Sequence, residues 1–226
     1  MPDIALLIIA VSLFVGGHEM MSHPWRRPLV RAVGEKGFMG LYAIVALGSL
    51  IWAVELWKDI PPDRLWQAPA AAYMAAPVIM LLAFILFVGS VTAPNPALMG
   101  GGMPGKAGVR GVQAITRHPM MWAFALWAIV HMALSADSRT LVLAGGILVL
   151  SLFGSAMQDR KKLAAIPSYS SHVAQTSFTP FMAQLSGRAP LASLWPGVVP
   201  VIGGLLLWGV MLWLHRTLIG VAAIQH

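Results

Sequence analysis

The amino-acid sequence predicts an all-α fold, a polytopic transmembrane helical bundle with about six spans. Only 10% of the 226 residues are charged and 58% are hydrophobic, whereas an ordinary soluble domain carries about 25% charged residues. Charge this sparse cannot cover a water-soluble surface. The apolar residues also gather into long runs, and a membrane-crossing helix needs ~20 mainly apolar residues in succession. We therefore expect a single domain over residues 1–226 that lies in a lipid bilayer.

Six apolar runs are long enough, or nearly so, to cross a membrane as helices. These runs are 4–21, 37–57, 70–92, 119–135, 140–157 and 196–215. The first run has no preceding Lys or Arg and no Ala-x-Ala cleavage site after it, so we expect a retained span rather than a signal peptide. The fourth helix is predicted to begin at Pro119, because proline lacks an N–H that would be unpaired at a first helical position.

Two connections between the spans are long. Residues 94–116 contain Pro-Asn-Pro and then a glycine-rich stretch, which predicts a linker that could also act as a gate. Residues 164–195 are neither spanning nor strongly polar and contain three prolines. We expect this second connection to form interfacial pieces rather than a span.

The distribution of cations predicts the orientation. The loops after the first, third and fifth spans hold four, three and four of the fifteen Lys and Arg residues, and the opposite side holds the other four. By the positive-inside rule the three richer loops are cytoplasmic and both termini lie on the outer side of the membrane. Trp52, Trp57 and Trp66 then form an outer aromatic belt. The net charge of +7 belongs to these loops and to anionic headgroups, so no nucleic-acid partner is expected.

The chain contains no cysteine, which excludes disulfides, thiolate metal sites and iron–sulfur clusters. Histidine and carboxylate remain as possible ligands. His18 and His131 lie inside apolar runs and His118 begins one, and an imidazole at membrane depth is a functional-site hypothesis by default. Imidazoles from facing helices commonly hold a b-type haem. A hydrogen-bonded structural role is the alternative for each.

Spacing limits how these histidines combine. His118 and His131 are separated by ~20 Å along one helix and by ~220° around it, so they cannot bind one iron together. One of the two must pair with His18. Depth favours His118, but that residue lies at the interface beside Arg117, where the two could hold a carboxylate or a haem propionate. Spacing alone leaves this choice open.

The other polar residues near span ends are assigned structural roles. Asp137 is expected to cap the fifth helix, and Asp159 is expected to pair with Arg160. The remaining histidines are assigned to loops, to loop packing or to a helix end; they are His23, His172, His215 and His226.

An ordered series of short motifs runs through nearly the whole chain. The motifs lie at 14–18 (Phe-Val-Gly-Gly-His), 34–42, 117–120 (Arg-His-Pro-Met), 127–131 (Trp-Ala-Ile-Val-His), 137, 159–160, 176–181, 187–188 and 214–220. On these motifs the chain resembles the NnrU family of bacterial integral membrane proteins, which is named for an association with nitrate, nitrite and nitric oxide metabolism. That family is similar to the plant and cyanobacterial zeta-carotene isomerase, which needs a haem b.

The resemblance implies that haem b is the cofactor and that His18 and His131 are its iron ligands. It also implies a polyene substrate or a respiratory partner complex. Together with the predicted orientation, it implies a multi-pass protein of a bacterial inner membrane with both termini in the periplasm. The isomerase has a cysteine three residues before its second haem histidine, where this chain has Ala128. Exchange of a histidine ligand for sulfur is therefore unavailable here.

Two other functions are compatible with the sequence. The protein could be a non-catalytic accessory or assembly protein of a respiratory complex, with structural histidines. It could also be an S-adenosylmethionine-dependent membrane methyltransferase, because Arg-His-Pro followed by an aromatic residue occurs in such enzymes. The later glutamate of those enzymes has no counterpart on a comparable helix here.

Overall fold

The computed structural model describes residues 3–97, 102 and 108–219, and this part of the chain is helical without any strand. The helices are α1 (Ile4–Ser22), α2 (Arg26–Asp59), α3 (Ala70–Thr92), α4 (Val112–Ile115), α5 (Pro119–Ser135), α6 (Ser138–Ala165), α7 (Tyr169–Gln175), α8 (Met182–Leu185) and α9 (Val198–Ile219), with a 3₁₀ turn at Leu191–Leu194. Most of the glycine-rich loop predicted as a linker or gate lies outside the described residues.

The predicted fold class is confirmed. Five of the described helices are long and apolar enough to cross a membrane, and α5 is a shorter apolar helix of 17 residues. Helix α5 begins at Pro119 as predicted. Helix α6 runs to Ala165, eight residues beyond the predicted end of its span, because no proline follows until Pro167. The connection after α6 forms only short helical pieces, as expected.

Helix α2 begins eleven residues before its predicted span. Its first part, from Arg26, is separated from the spanning part by Gly34, which has φ +73° and ψ 169°. Residues with a Cβ rarely adopt this conformation, whereas glycine does so at little cost. The glycine therefore lets a short polar helix and a long apolar helix follow each other with a change of direction between them.

The helices group into two compact units. The first comprises Met1–Ala68 and His131–Gly154. Its core joins α1, α2 and α6 through six buried apolar residues: Leu7, Ala10, Val11, Ala53, Leu56 and Leu143. Helix α1 approaches α6 closely, because a Cβ added to Gly146 would lie 2.2 Å from Val11 Cγ1.

Side chains fix the start of α6 within this first unit. The Asp137 carboxylate accepts a hydrogen bond from the Thr140 backbone N–H at 2.8 Å, which confirms its predicted role as a cap. Asp63 accepts bonds from both the backbone and the hydroxyl of Ser138, which lower the pKa of its carboxyl. Arg139 donates to the carbonyls at the end of α2, including that of Trp57.

The second unit comprises Pro69–Val130 and Ser155–His226. Helices α3 and α9 cross closely at two glycines of α9, and a Cβ on Gly204 would lie 2.9 Å from the backbone of Ile85. The core of this unit joins α3, α4 and α5 through Ala83, Leu86, Val112, Ile115 and Ala123. This unit contains the Arg-His-Pro triplet.

Candidate functional site

The Arg-His-Pro turn is held against the segment that follows α7. The Arg117 backbone N–H donates to the Ser177 carbonyl at 2.9 Å, and the Thr116 hydroxyl donates to the Phe178 carbonyl at 2.6 Å. The indole N–H of Trp122 reaches the same carbonyl at 2.8 Å. These bonds orient the Arg117 and His118 side chains before the helix begins.

Asp159 of α6 is the centre of a buried polar network. Its Oδ2 accepts a hydrogen bond from Arg117 Nε at 2.7 Å. Its Oδ1 accepts from His118 Nε2 at 2.8 Å and from the Tyr169 hydroxyl at 2.7 Å. The four residues thus pair one carboxylate with one guanidinium, and two further hydrogen bonds stabilise the buried ion pair.

The contact with Asp159 also determines which ring nitrogen of His118 carries a proton. A carboxylate only accepts, so His118 Nε2 carries a proton and donates it to Asp159. In the neutral imidazole Nδ1 then has a free lone pair. His118 is 1% exposed, and its Nδ1 has no hydrogen-bond partner within the described part of the chain.

Helix α7 places two more buried side chains beside this network. Tyr169 is fully buried, and burial together with its bond to Asp159 raises the pKa of its hydroxyl. His172 is 2% exposed, and neither of its ring nitrogens has a partner among the described residues. Burial and the nearby Arg117 lower its pKa to about 4, so its imidazole is neutral at physiological pH.

The predicted pairing of Asp159 with Arg160 is wrong. Successive residues of a helix point about 100° apart, and Asp159 turns inward to Arg117 while Arg160 is exposed. Sequence reasoning also missed Tyr169 as a member of the network and the buried His172 beside it. The one available signal was a lone carboxylate in a basic stretch, which needs a cationic partner if it is buried.

Within the first unit, His18 lies on the inward face of α1. It follows Leu7, Val11 and Phe14 at helical spacing, and these three residues are at most 9% exposed. Its Nδ1 lies 2.8 Å from the Phe14 carbonyl oxygen. A carbonyl can only accept, so Nδ1 carries the proton, and Nε2 is left with a lone pair and no partner among the described residues. The ring packs edge-on against Phe14 and Tyr42 at centroid distances of 4.6 and 5.2 Å.

His131 belongs to the same unit and is partly buried near the end of α5. The positions of the two histidines can be compared along α6, because α6 contacts both α1 and α5. Val11 packs on Gly146, and Met132, which follows His131, approaches the preceding glycine of α6. His18 is seven residues beyond Val11, so the two histidines lie at levels about 10 Å apart along α6.

The predicted site residues therefore fall into two groups. Arg117 and His118 come together on Asp159 in the second unit, whereas His18 and His131 belong to the first. Helix α5 is continuous from Pro119, which keeps His118 and His131 more than three helical turns apart. Among the described residues no group of three or more histidines and carboxylates is arranged to hold a metal ion. A site made by two histidines alone is smaller than such a group, so this absence does not bear on the predicted pair His18 and His131.

These features define a class of protein: a multi-span helical membrane protein with a buried Arg–His–Asp–Tyr network and an inward-facing histidine in an apolar helix. The model of one family, described as NnrU protein, matches residues 6–223. The chain therefore belongs to the NnrU family. Neither the curated proteins nor the solved structures contain a match.

Proposed function

We propose that this NnrU family membrane protein binds haem b through His18 and His131 and acts in nitrogen-oxide metabolism or in isomerase-like chemistry on an apolar substrate. The observation that carries the proposal is the geometry of His18. Its Nδ1–H is held by the Phe14 carbonyl, so Nε2 is the ring nitrogen that keeps a lone pair for a metal ion. A backbone carbonyl on the other ring nitrogen is a common way to orient a metal-binding histidine.

The surroundings of His18 also suit a cofactor ligand. Phe14 and Tyr42 contact the ring edge-on and thereby restrict its orientation. His131 supplies a second imidazole from another helix of the same unit, as the family resemblance implies. Bound haem would supply one-electron chemistry, or a Lewis-acidic iron for a small gas or a conjugated double bond.

The Asp159 network supports a different role for Arg117 and His118. Both side chains are engaged by the protein's own carboxylate, so they serve best to join α5, α6 and α7. The same engagement argues against an S-adenosylmethionine site at Arg-His-Pro. We assign these two residues to positioning rather than to haem ligation.

The test is the absorption spectrum of the detergent-purified protein from haem-replete cells, oxidised and dithionite-reduced. A Soret band with sharp reduced α and β bands is expected. His18→Ala and His131→Ala should each abolish the low-spin spectrum, whereas the matched control His23→Ala should retain it, because His23 instead lies beside Glu19 at the end of α1.

Two outcomes would overturn the proposal. The first is a colourless protein that takes up no added haem, and the second is a haem spectrum that both substitutions leave unchanged. A colourless protein whose His18→Ala, His131→Ala double variant still restores function in a complementation assay would be an accessory protein of a respiratory complex.

A further inference from the structure

A groove of about 770 Å³ lies between α1 and α2 in the first unit. It is formed by one side of α1 between Ser12 and Met21 and one side of α2 between Leu41 and Trp52, together with Trp25 and Leu29; His18 does not line it. It contains Gly16, which is displaced from His18 by ~200° around the helix axis, so the groove faces away from the histidine. Its length of ~15 Å is about half of the ~30 Å hydrocarbon core of a bilayer.

The walls of the groove are apolar. Among the described residues that line it, none is charged and only Ser12 and Ser49 carry a hydroxyl. The Ser49 hydroxyl already donates to the Val45 carbonyl of its own helix at 2.6 Å. A Cβ added to Gly16 or Gly48 would meet no described atom within 4 Å. The space therefore suits a hydrocarbon chain, since it offers no fixed polar partner and its glycines leave it open.

The two ends of the groove differ in charge. At one end, Trp25 is 52% exposed, and the neighbouring Arg27 and Arg31 form no ion pair with any described residue. At the other end Trp52 precedes Glu55, which is paired with a lysine at 2.9 Å. Uncompensated arginines beside a membrane-embedded groove favour an anionic headgroup at the Trp25 end.

The arginines lie on one side of a short helical piece that precedes the kink at Gly34. From Trp25 to Gly34 the chain forms a short helical piece with Trp25, Leu29 and Val33 along one side. Arg27 and Arg31 lie on the opposite side. This separation is the pattern of a segment that lies in the membrane interface, with its apolar side toward the acyl chains.

We propose that the α1–α2 groove binds an acyl chain of an anionic phospholipid, whose phosphate lies near Arg27 and Arg31. The groove supplies the space and the apolar walls, and the two arginines select the headgroup. Because the groove lies on the face of α1 opposite His18, this site is independent of the proposed haem.

The test uses the full-length protein in phosphatidylcholine vesicles with a trace of chain spin-labelled lipid. Electron paramagnetic resonance then measures the immobilised fraction of labelled phosphatidylglycerol and, separately, of labelled phosphatidylcholine. The wild type should immobilise phosphatidylglycerol preferentially. Gly48→Leu should abolish the preference by filling the groove. Gly40→Leu is the matched control, because this glycine of α2 also meets no described atom within 4 Å but does not line the groove.

Three further variants test the binding of the acyl chain and the binding of the headgroup separately. Gly16→Leu fills the groove from α1 and should reproduce Gly48→Leu, which covers the case in which the latter fails to fold. Arg27→Gln and Arg31→Gln should each lower the relative association constant of phosphatidylglycerol about fivefold, the effect of one cation near an anionic lipid. Equal immobilisation of the two lipids by the wild type would overturn the proposal, as would the same preference in Gly48→Leu, Gly16→Leu and Gly40→Leu.

Discussion

At the scale of single residues, Asp159 joins parts of the chain that are far apart in sequence. Its three donors lie 42, 41 and 10 positions away. Arg117, the only permanent cation among them, is 13% exposed in its side chain. The carboxylate and the guanidinium therefore depend on each other, because neither has enough water around it to replace its partner.

We expect Asp159→Asn to lower the free energy of unfolding by roughly 3 kcal/mol, because removing one partner of a buried ion pair leaves the other charge uncompensated. Denaturant unfolding in detergent micelles would measure the change. Arg160→Gln is the control, since an exposed substitution beside the network should change stability by less than ~0.5 kcal/mol. Equal stability of Asp159→Asn and wild type would mean that the network is not a stabilising element.

The buried His172 should make stability depend on pH. Its pKa is about 4 in the folded protein, below the ordinary value of about 6.5, so the unfolded chain binds a proton more readily. Stability is then complete above pH 6.5 and falls as the pH drops toward 4, by at most roughly 3 kcal/mol. Arg117, His118 and Lys162 oppose the protonation, and Asp159 alone favours it.

The measurement is the midpoint of unfolding at a series of pH values between 7 and 4 for wild type and for His172→Asn. The variant removes the titrating group but keeps a polar side chain of similar shape. We expect the difference between the two proteins to change across this window. A constant difference would show that His172 does not take up its proton on unfolding.

At the scale of elements, glycines set how closely the helices approach. Gly204 of α9 lies against the backbone of Ile85 in α3, whereas Gly209 of the same helix has no described atom within 4 Å of its Cβ position. Small residues at helix crossings let the two backbones come into close contact. This packing drives helix association in a membrane, because lipid chains are as apolar as leucine and provide no hydrophobic driving force between helices.

This contrast yields a paired test. Gly204→Ala should destabilise the protein by about 1–3 kcal/mol, because the added methyl meets backbone atoms that cannot move aside. Gly209→Ala should be neutral or slightly stabilising, since alanine favours the helix over glycine. Thermal unfolding in detergent would compare the two variants. A smaller loss for Gly204→Ala than for Gly209→Ala would contradict the close crossing of α3 and α9.

At the scale of the whole molecule, the cations are unevenly distributed between the loops, and this asymmetry predicts the orientation in the membrane. Because the chain has no cysteine, a single introduced cysteine is the only thiol of the protein that a reagent can label. Lys36 and Asp59 are exposed positions near the two ends of the apolar part of α2, which follows Gly34. With an impermeant maleimide and a permeabilised outer membrane, Asp59→Cys should be labelled directly. Lys36→Cys should be labelled only after the inner membrane is opened; the reverse pattern would invert the predicted topology.

Properties that depend on neighbouring residues could be read from the sequence. The membrane class follows from sparse charge, and the spans follow from apolar runs. The start of α5 at Pro119 and the cap at Asp137 follow from chemistry within three residues of each helix end. The extent of α2 and α6 was less predictable, because polar helical turns extend beyond the apolar runs that mark a span.

Properties that depend on distant residues required the tertiary structure. The sequence places Asp159 next to Arg160, but the packed helices place its carboxylate on Arg117. Spacing predicted that His118 and His131 could not share an iron, yet it could not show that His118 is engaged by a carboxylate or that Nε2 of His18 is the available nitrogen.

The sequence by itself determined the kind of protein, the six apolar helices and their approximate limits, and the small set of histidines from which a site could be built. Only the tertiary structure decided which of those side chains meet, which face of α1 carries His18, and that a groove opens on the other face. The physical reason is that hydropathy and capping act locally along the chain. Partners across helices are set by the rotation and level of each helix in the packed unit, which local sequence does not specify.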